Sequence, residues 1–127
     1  MMEERGRKVA GNFGEDAACR YLEELGHTIL ERNWRGGHLE LDIISLASDG
    51  IHFVEVKTRV APVSASPEEN VGRTKQRRMV AAANKYLNSA KGSSGFREVF
   101  FDVMAVTLDG GKTDIEYFPS AFVPLYY

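Results

Sequence analysis

Two runs of alternating polarity, Leu39 to Leu46 and Ile51 to Arg59, are separated by Ser48-Asp49-Gly50, a linker so short that it joins strands as an antiparallel hairpin. Side chains alternate along a strand. On the first run Leu39, Leu41 and Ile43 are therefore expected on one face, with Glu40, Asp42 and Ile44 on the other. On the second, Phe53, Glu55 and Lys57 share a face, and Val54, Val56 and Thr58 its reverse. With a Ser48-Asp49 loop, Asp42 stands opposite Glu55; with Asp49-Gly50, it stands opposite Lys57. Either register gathers Asp42, Glu55 and Lys57 on one face.

The rest of the chain supplies cover for this hairpin. Phe13, Ala17, Ala18, Tyr21, Leu22 and Leu25 recur at helical spacing, which predicts a helix over Val9 to Leu25 with Gly26 as its C-cap. Thr28 to Trp34 reads as a strand, ended by Arg35-Gly36-Gly37. Val60 to Glu69, with two prolines and two serines, reads as a loop, and a second helix is predicted from Val71 to Lys91, stopped by Gly92. Arg97 to Leu108 is apolar on both faces around Asp102, as a central strand would be. Asp109-Gly110-Gly111 then turns into a short strand, Asp114 to Phe118. The order α-β-β-β-α-β-β implies an α/β protein, a mixed sheet flanked by helices. A chain of 127 residues, 43% of them hydrophobic, suits one domain spanning residues 1–127.

The hairpin concentrates the chemistry. Carboxylates facing each other on a sheet repel. Glu55 also has Phe53, Val54 and Val56 for neighbours, and an ionised carboxylate in apolar surroundings is costly unless paired. A hard divalent cation, Mg²⁺ or Mn²⁺, resolves both problems through one or two carboxylates, waters and a substrate phosphate. Lys57, on the same face, would meet charge developing on a phosphate. These are the parts of metal-assisted phosphodiester hydrolysis. The same residues also fit a plainer arrangement, a surface ion pair of Glu55 with Lys57 and Asp42 capping a turn, and the spacing leaves both open.

Charge and cysteine usage narrow the setting. The lone Cys19 excludes an internal disulfide and a cysteine-based zinc site. The charged N-terminus is followed by no long apolar run, so neither a signal peptide nor a membrane span is expected, and the cytoplasm is the expected compartment. A net charge of −2 counts against nucleic-acid affinity from bulk charge. The positive charge is uneven, however. Arg73, Lys75, Arg77 and Arg78 crowd the start of the second helix, where the helix end also favours phosphate. They are the candidate contacts to a nucleic-acid backbone, Lys75 foremost, with Arg59 a further one. An ordinary solvated helix face shows the same pattern.

Asp42 followed by Glu55-Val56-Lys57 resembles the D…(E)xK core of the PD-(D/E)XK nuclease superfamily. More closely, the chain resembles the YraN-like family of endonuclease-like bacterial proteins. The likeness is carried in order by Gly14-Glu15-Asp16-Ala17-Ala18, Ile29 to Arg35, Glu40-Leu41-Asp42-Ile43-Ile44, Phe53 to Arg59, Lys75-Gln76-Arg77-Arg78 and Phe101-Asp102-Val103. It implies a restriction-endonuclease-like fold and a relationship to archaeal Holliday junction resolvases, in which a first-helix glutamate, here Glu15, joins the metal site. Two positions depart from the family pattern: Leu39 stands where glycine is usual, and Phe100 where an arginine precedes the late-strand aspartate.

Three readings of function follow. The first is a Mg²⁺- or Mn²⁺-dependent nuclease acting on DNA, branched or damaged, with Asp42, Glu55 and Glu15 as metal ligands and Lys57 assisting. The second is a nucleic-acid-binding or scaffold module with a nuclease fold and little or no activity. The third is hydrolysis of a smaller phosphate ester. A homodimer follows by analogy with the resolvases alone. Glu15, at the edge of the first helix's apolar stripe, is either a site carboxylate or a first-turn acid that favours the helix dipole. Glu40 is either a further ligand or solvated. Asp102, among apolar neighbours, calls for a structural hydrogen bond. Trp34, Phe96, Tyr126 and Tyr127 suit base stacking or packing. His27, His38 and His52 lack metal-ligand spacing and fall outside the expected site.

Overall fold

The computed structural model describes residues 4–62, 71–89 and 98–124. Helix α1 (Glu4–Glu24) leads into strands β1 (Thr28–Gly36), β2 (Leu39–Ala47) and β3 (Gly50–Val60). Helix α2 (Arg73–Leu87) follows, then β4 (Val99–Asp109) and β5 (Lys112–Phe122). The five strands lie in sequence order, with β3 in the middle. Only β3 and β4 run parallel, because α2 carries the chain back across the sheet between them; every other pair is antiparallel. The mixed α/β sheet and the element order are those expected. β5 is longer than the sequence suggested, and β4 is an interior strand beside the central one. Phe96, Tyr126, Tyr127, Glu68, Glu69 and Lys91 lie outside the described residues.

The helices cover opposite faces. Ala17, Ala18, Cys19 and Leu22 of α1 pack on Ile43, Val54, Met104 and Val106. Met79, Ala82, Ala83 and Tyr86 of α2 pack on Ile44, Phe53, Phe101 and Val103. Burying a side chain such as Phe53 fully contributes about 2 kcal/mol. Phe13 and Leu25, expected in the α1 stripe, are instead half exposed, because the helix touches the sheet along a narrower line.

α1 stops where Gly26 predicts. At φ +98° the glycine closes a Schellman turn: its N–H bonds Glu23 O, and the His27 N–H bonds Leu22 O. Nearer the helix start, Gly14 lies against β3. A Cβ at that position would fall inside Thr58 Oγ1 and 2.8 Å from its Cγ2, so glycine sets how closely α1 approaches the sheet.

Candidate functional site

The hairpin settles on the Ser48-Asp49 loop, with Ala47 paired to Gly50 and Ile43 to Val54. One position further, the regular ladder gives way. Leu41 belongs to the cluster under α2, whereas Ile43 belongs to the cluster under α1. The expected alternation, with Leu41 and Ile43 on one face, therefore fails at Asp42. Its carboxylate instead turns along the sheet, and Oδ2 accepts the Val56 N–H at 2.8 Å. Across from it on β1, Asn33 takes φ +51°, a left-handed conformation that asparagine tolerates better than most residues. The strands thus part where the acidic residues gather, and Asp42 sits in the fork.

β3 keeps its alternation. Val54, Val56 and Thr58 meet α1, while Phe53 and Glu55 look toward α2. Glu55 is 17% exposed, and Lys75 of α2 brings its Nζ to 3.3 Å from Glu55 Oε2. Burial, followed by the charge of Asp42, pushes the Glu55 carboxyl up to about 7; a hydrogen bond between the two carboxyl groups adds to the rise, and Lys75 opposes it. Lys57, half-buried two residues on, shares this face by alternation.

Glu15 approaches Asp42 from α1. Burial and the Asp42 charge raise its carboxyl above the ordinary value, while Asn33 and Arg32 pull it down. Arg32 is tied more closely to Asp16, at 2.7 Å, than to Glu15, at 3.7 Å. Glu15 Oε1 is buried and has no hydrogen-bond partner among the described residues. Asp42 therefore presses on both glutamates, one from each helix-covered face. Among the described residues no three acidic, histidine or cysteine side chains converge as a closed metal cage. A Mg²⁺-type ion needs fewer: one or two carboxylates, with waters and phosphate completing the shell. The Asp42–Glu55 pair supplies carboxylates in that number; Glu15, whose Oε1 lies 3.7 Å from Arg32, does not join them in a three-residue group.

The basic residues divide. Arg73, Arg77 and Arg78 are exposed on α2. Arg59 donates from Nε to Thr107 Oγ1 at 3.3 Å. Lys75 joins the acidic pair, and with His38, Leu39, Glu40 and Arg78 it lines an open pocket of about 300 Å³. Glu40 is exposed and lies 3.4 Å from Arg35. Trp34 meets Tyr86 of α2 edge-on at 5.5 Å, a packing role.

Sequence reasoning missed a second polar centre. His52 is 3% exposed and Asp102 fully buried. His52 Nδ1 lies 2.6 Å from Asp102 Oδ2, and its Nε2 lies 2.8 Å from Asp49 Oδ1. Carboxylate oxygens accept, so this geometry favours the charged, doubly donating form of His52, in line with its raised pKa. Asp102 also accepts the Tyr117 hydroxyl on Oδ2 and the Ser120 N–H, at 2.9 Å, on Oδ1. Phe100 stacks on His52 at 4.7 Å, ring against ring. The histidine spacing gave no signal because the partners come from the hairpin turn, β4 and β5.

Residues 14–106 match the uncharacterised protein family UPF0102. A UPF0102 protein of Nitratidesulfovibrio vulgaris (strain DP4) is 41% identical over 116 residues, 91% of this chain and 85% of the relative. One from Bacteroides thetaiotaomicron is 41% identical over 114 residues, 90% of this chain and 92% of the relative. A solved structure, Pyrococcus furiosus SfsA in complex with Ca²⁺, overlaps with a TM-score of 0.40 at 18% identity, over 89% of this chain and 63% of that one. The match over most of the chain, by profile and by relatives alike, means that the chain belongs to the uncharacterised protein family UPF0102, the YraN-like family.

Proposed function

We propose that the protein is a metal-dependent nuclease that hydrolyses phosphodiester bonds in DNA. One observation carries the reading: Glu55 is largely buried and faces the Asp42 charge, and the two together push its carboxyl up to about 7. Strongly shifted pKa values cluster at functional sites, where burial and like-charge pairs are arranged to produce them. Asp42 and Glu55 would hold Mg²⁺ or Mn²⁺, with Glu15 completing the donors from α1. When bound, the cation supplies Lewis-acid polarisation of a phosphoryl oxygen and lowers the pKa of a water.

The chain's own residues do the rest. The Val56 N–H fixes the orientation of Asp42. Lys57 meets the charge gathering on the phosphate. Arg73, Arg77 and Arg78 contact the flanking backbone of the strand. No helix among the described residues is long and apolar enough to cross a membrane. A cytoplasmic location and, from the resolvase likeness, a homodimer belong to the same proposal, and sedimentation would test the dimer.

Labelled single-stranded, duplex, flapped and four-way-junction DNA incubated with Mg²⁺, Mn²⁺ or chelator tests the reading. The wild type is expected to cut with metal, and Asp42→Asn not at all. Cutting by Asp42→Asn at the wild-type rate would sink the assignment. DNA binding without cutting under every condition would favour the binding-module reading.

A further inference from the structure

Lys75 belongs to two neighbouring features. Its ammonium is 3.3 Å from Glu55 Oε2. Its side chain also forms a wall of the pocket completed by His38, Leu39, Glu40 and Arg78. Among the described lining residues two basic side chains therefore face that space, and the Glu40 carboxylate beside them pairs with Arg35 at 3.4 Å. Both cations stand on the opening turns of α2, whose first turn holds no acidic residue and whose amides have no side-chain cap. A volume of about 300 Å³ has room for a phosphate group.

Resting on the nuclease reading, we propose that this pocket receives a strand phosphate beside the cleaved bond, and that Lys75 couples its arrival to cation binding at Glu55. In the free protein the Lys75 ammonium pairs with the Glu55 carboxylate, which a bound cation would also need. A phosphate in the pocket offers the ammonium a second partner, with Arg78 holding the other side. As Lys75 turns to the phosphate, Glu55 becomes available to the metal. Substrate and cation then bind cooperatively, and the acidic pair is kept from scavenging divalent ions when no strand is present. Lys75 acts here as a positioning residue, through Glu55.

The test reads Mn²⁺ binding, by electron paramagnetic resonance of the free ion, for wild type, Lys75→Met and Arg78→Gln. Each protein is measured alone and with a 5′-phosphorylated thymidine dinucleotide, after circular dichroism has shown the variants folded. Without the dinucleotide, Lys75→Met is expected to bind Mn²⁺ about fivefold more tightly than wild type, the upper range for a partly exposed ion pair. The tightening brought by the dinucleotide is expected to be smaller in Lys75→Met by about the same factor. Arg78→Gln should weaken dinucleotide binding while leaving Mn²⁺ affinity in its absence unchanged. Equal Mn²⁺ affinity in wild type and Lys75→Met, or equal tightening in both, overturns the coupling and leaves the nuclease reading intact. Absence of Mn²⁺ binding in all three proteins overturns both.

Discussion

Asp102 should be the residue whose loss this fold tolerates least. Its carboxylate is fully buried and receives donors from His52, Tyr117 and the Ser120 backbone. The last of these shapes β5. Phe101 pairs with Phe122 and Val103 with Phe118, so three residues of β5 bulge opposite Asp102, and Ser120 takes φ +51° within the bulge. An asparagine offers one acceptor oxygen, so Asp102→Asn turns an NH₂ toward at least one donor. It also removes the charge opposing the His52 imidazolium. Removing one member of a buried pair costs about 3–5 kcal/mol, out of about 5–15 kcal/mol for a whole domain. At about 4 °C per kcal/mol for a chain of this size, Tm should fall by about 12–20 °C.

Circular dichroism melts across pH give a second signature. Burial alone would lower the His52 pKa, but hydrogen bonds to Asp102 and Asp49 outweigh it and the net shift is upward from 6.5. A raised folded pKa contributes stability that is complete below 6.5 and is lost as pH rises through the folded value. His27, whose ring lies 4.6 Å from His52, is lowered by burial and then by the His52 charge. Its contribution has the opposite sign: present above 6.5 and lost as pH falls. In Asp102→Asn the His52 decline above pH 6.5 should largely vanish. Glu55 titrates alike in both proteins, so the difference between the two curves is the quantity to read. A variant melting within about 3 °C of wild type, or a difference flat with pH, would refute the reasoning.

Three further perturbations probe other parts of the argument. Asp42→Asn should abolish cutting yet stabilise the metal-free protein by about 1–2 kcal/mol at pH 8, because Glu55, raised from 4.5 to about 7, loses stability as pH rises through that interval. Urea melts check the gain, and carbon-13 NMR should show the Glu55 carboxyl titrating lower; an unchanged titration would mean that Asp42 is not the cause. Gly14→Ala should destabilise despite a helix-propensity gain of about 1 kcal/mol, since its Cβ meets Thr58, and adding Thr58→Ala should restore the loss. Gly26→Ala should cost about 1 kcal/mol by chemical denaturation, because φ +98° is unfavourable to any side chain although nothing stands within 4 Å of the new Cβ.

By itself the sequence determined what local chemistry decides. The period of two in Leu39 to Arg59, with a linker too short for a crossover, left two registers, and both set Asp42 close to Glu55. Gly26 ended α1 because few other residues take its backbone conformation. The element order followed from hydrophobic period and punctuation, and the ordered motifs carried the family likeness. Tertiary structure decided where long-range partners or a local break in regularity govern. Strand alternation cannot foresee that Asp42 leaves the face pattern, because the cause is an N–H on β3 and a left-handed Asn33 on β1. Lys75 is foremost among the expected contacts to a nucleic-acid backbone, and only the packing of α2 sets it against Glu55. Asp49, His52, Asp102, Tyr117 and Ser120 are spread over the hairpin turn and three strands, so no spacing rule links them. The physical reason is the same throughout. Secondary structure follows from neighbours a few residues apart, whereas a buried charge is stable only beside partners that the folded sheet brings to it.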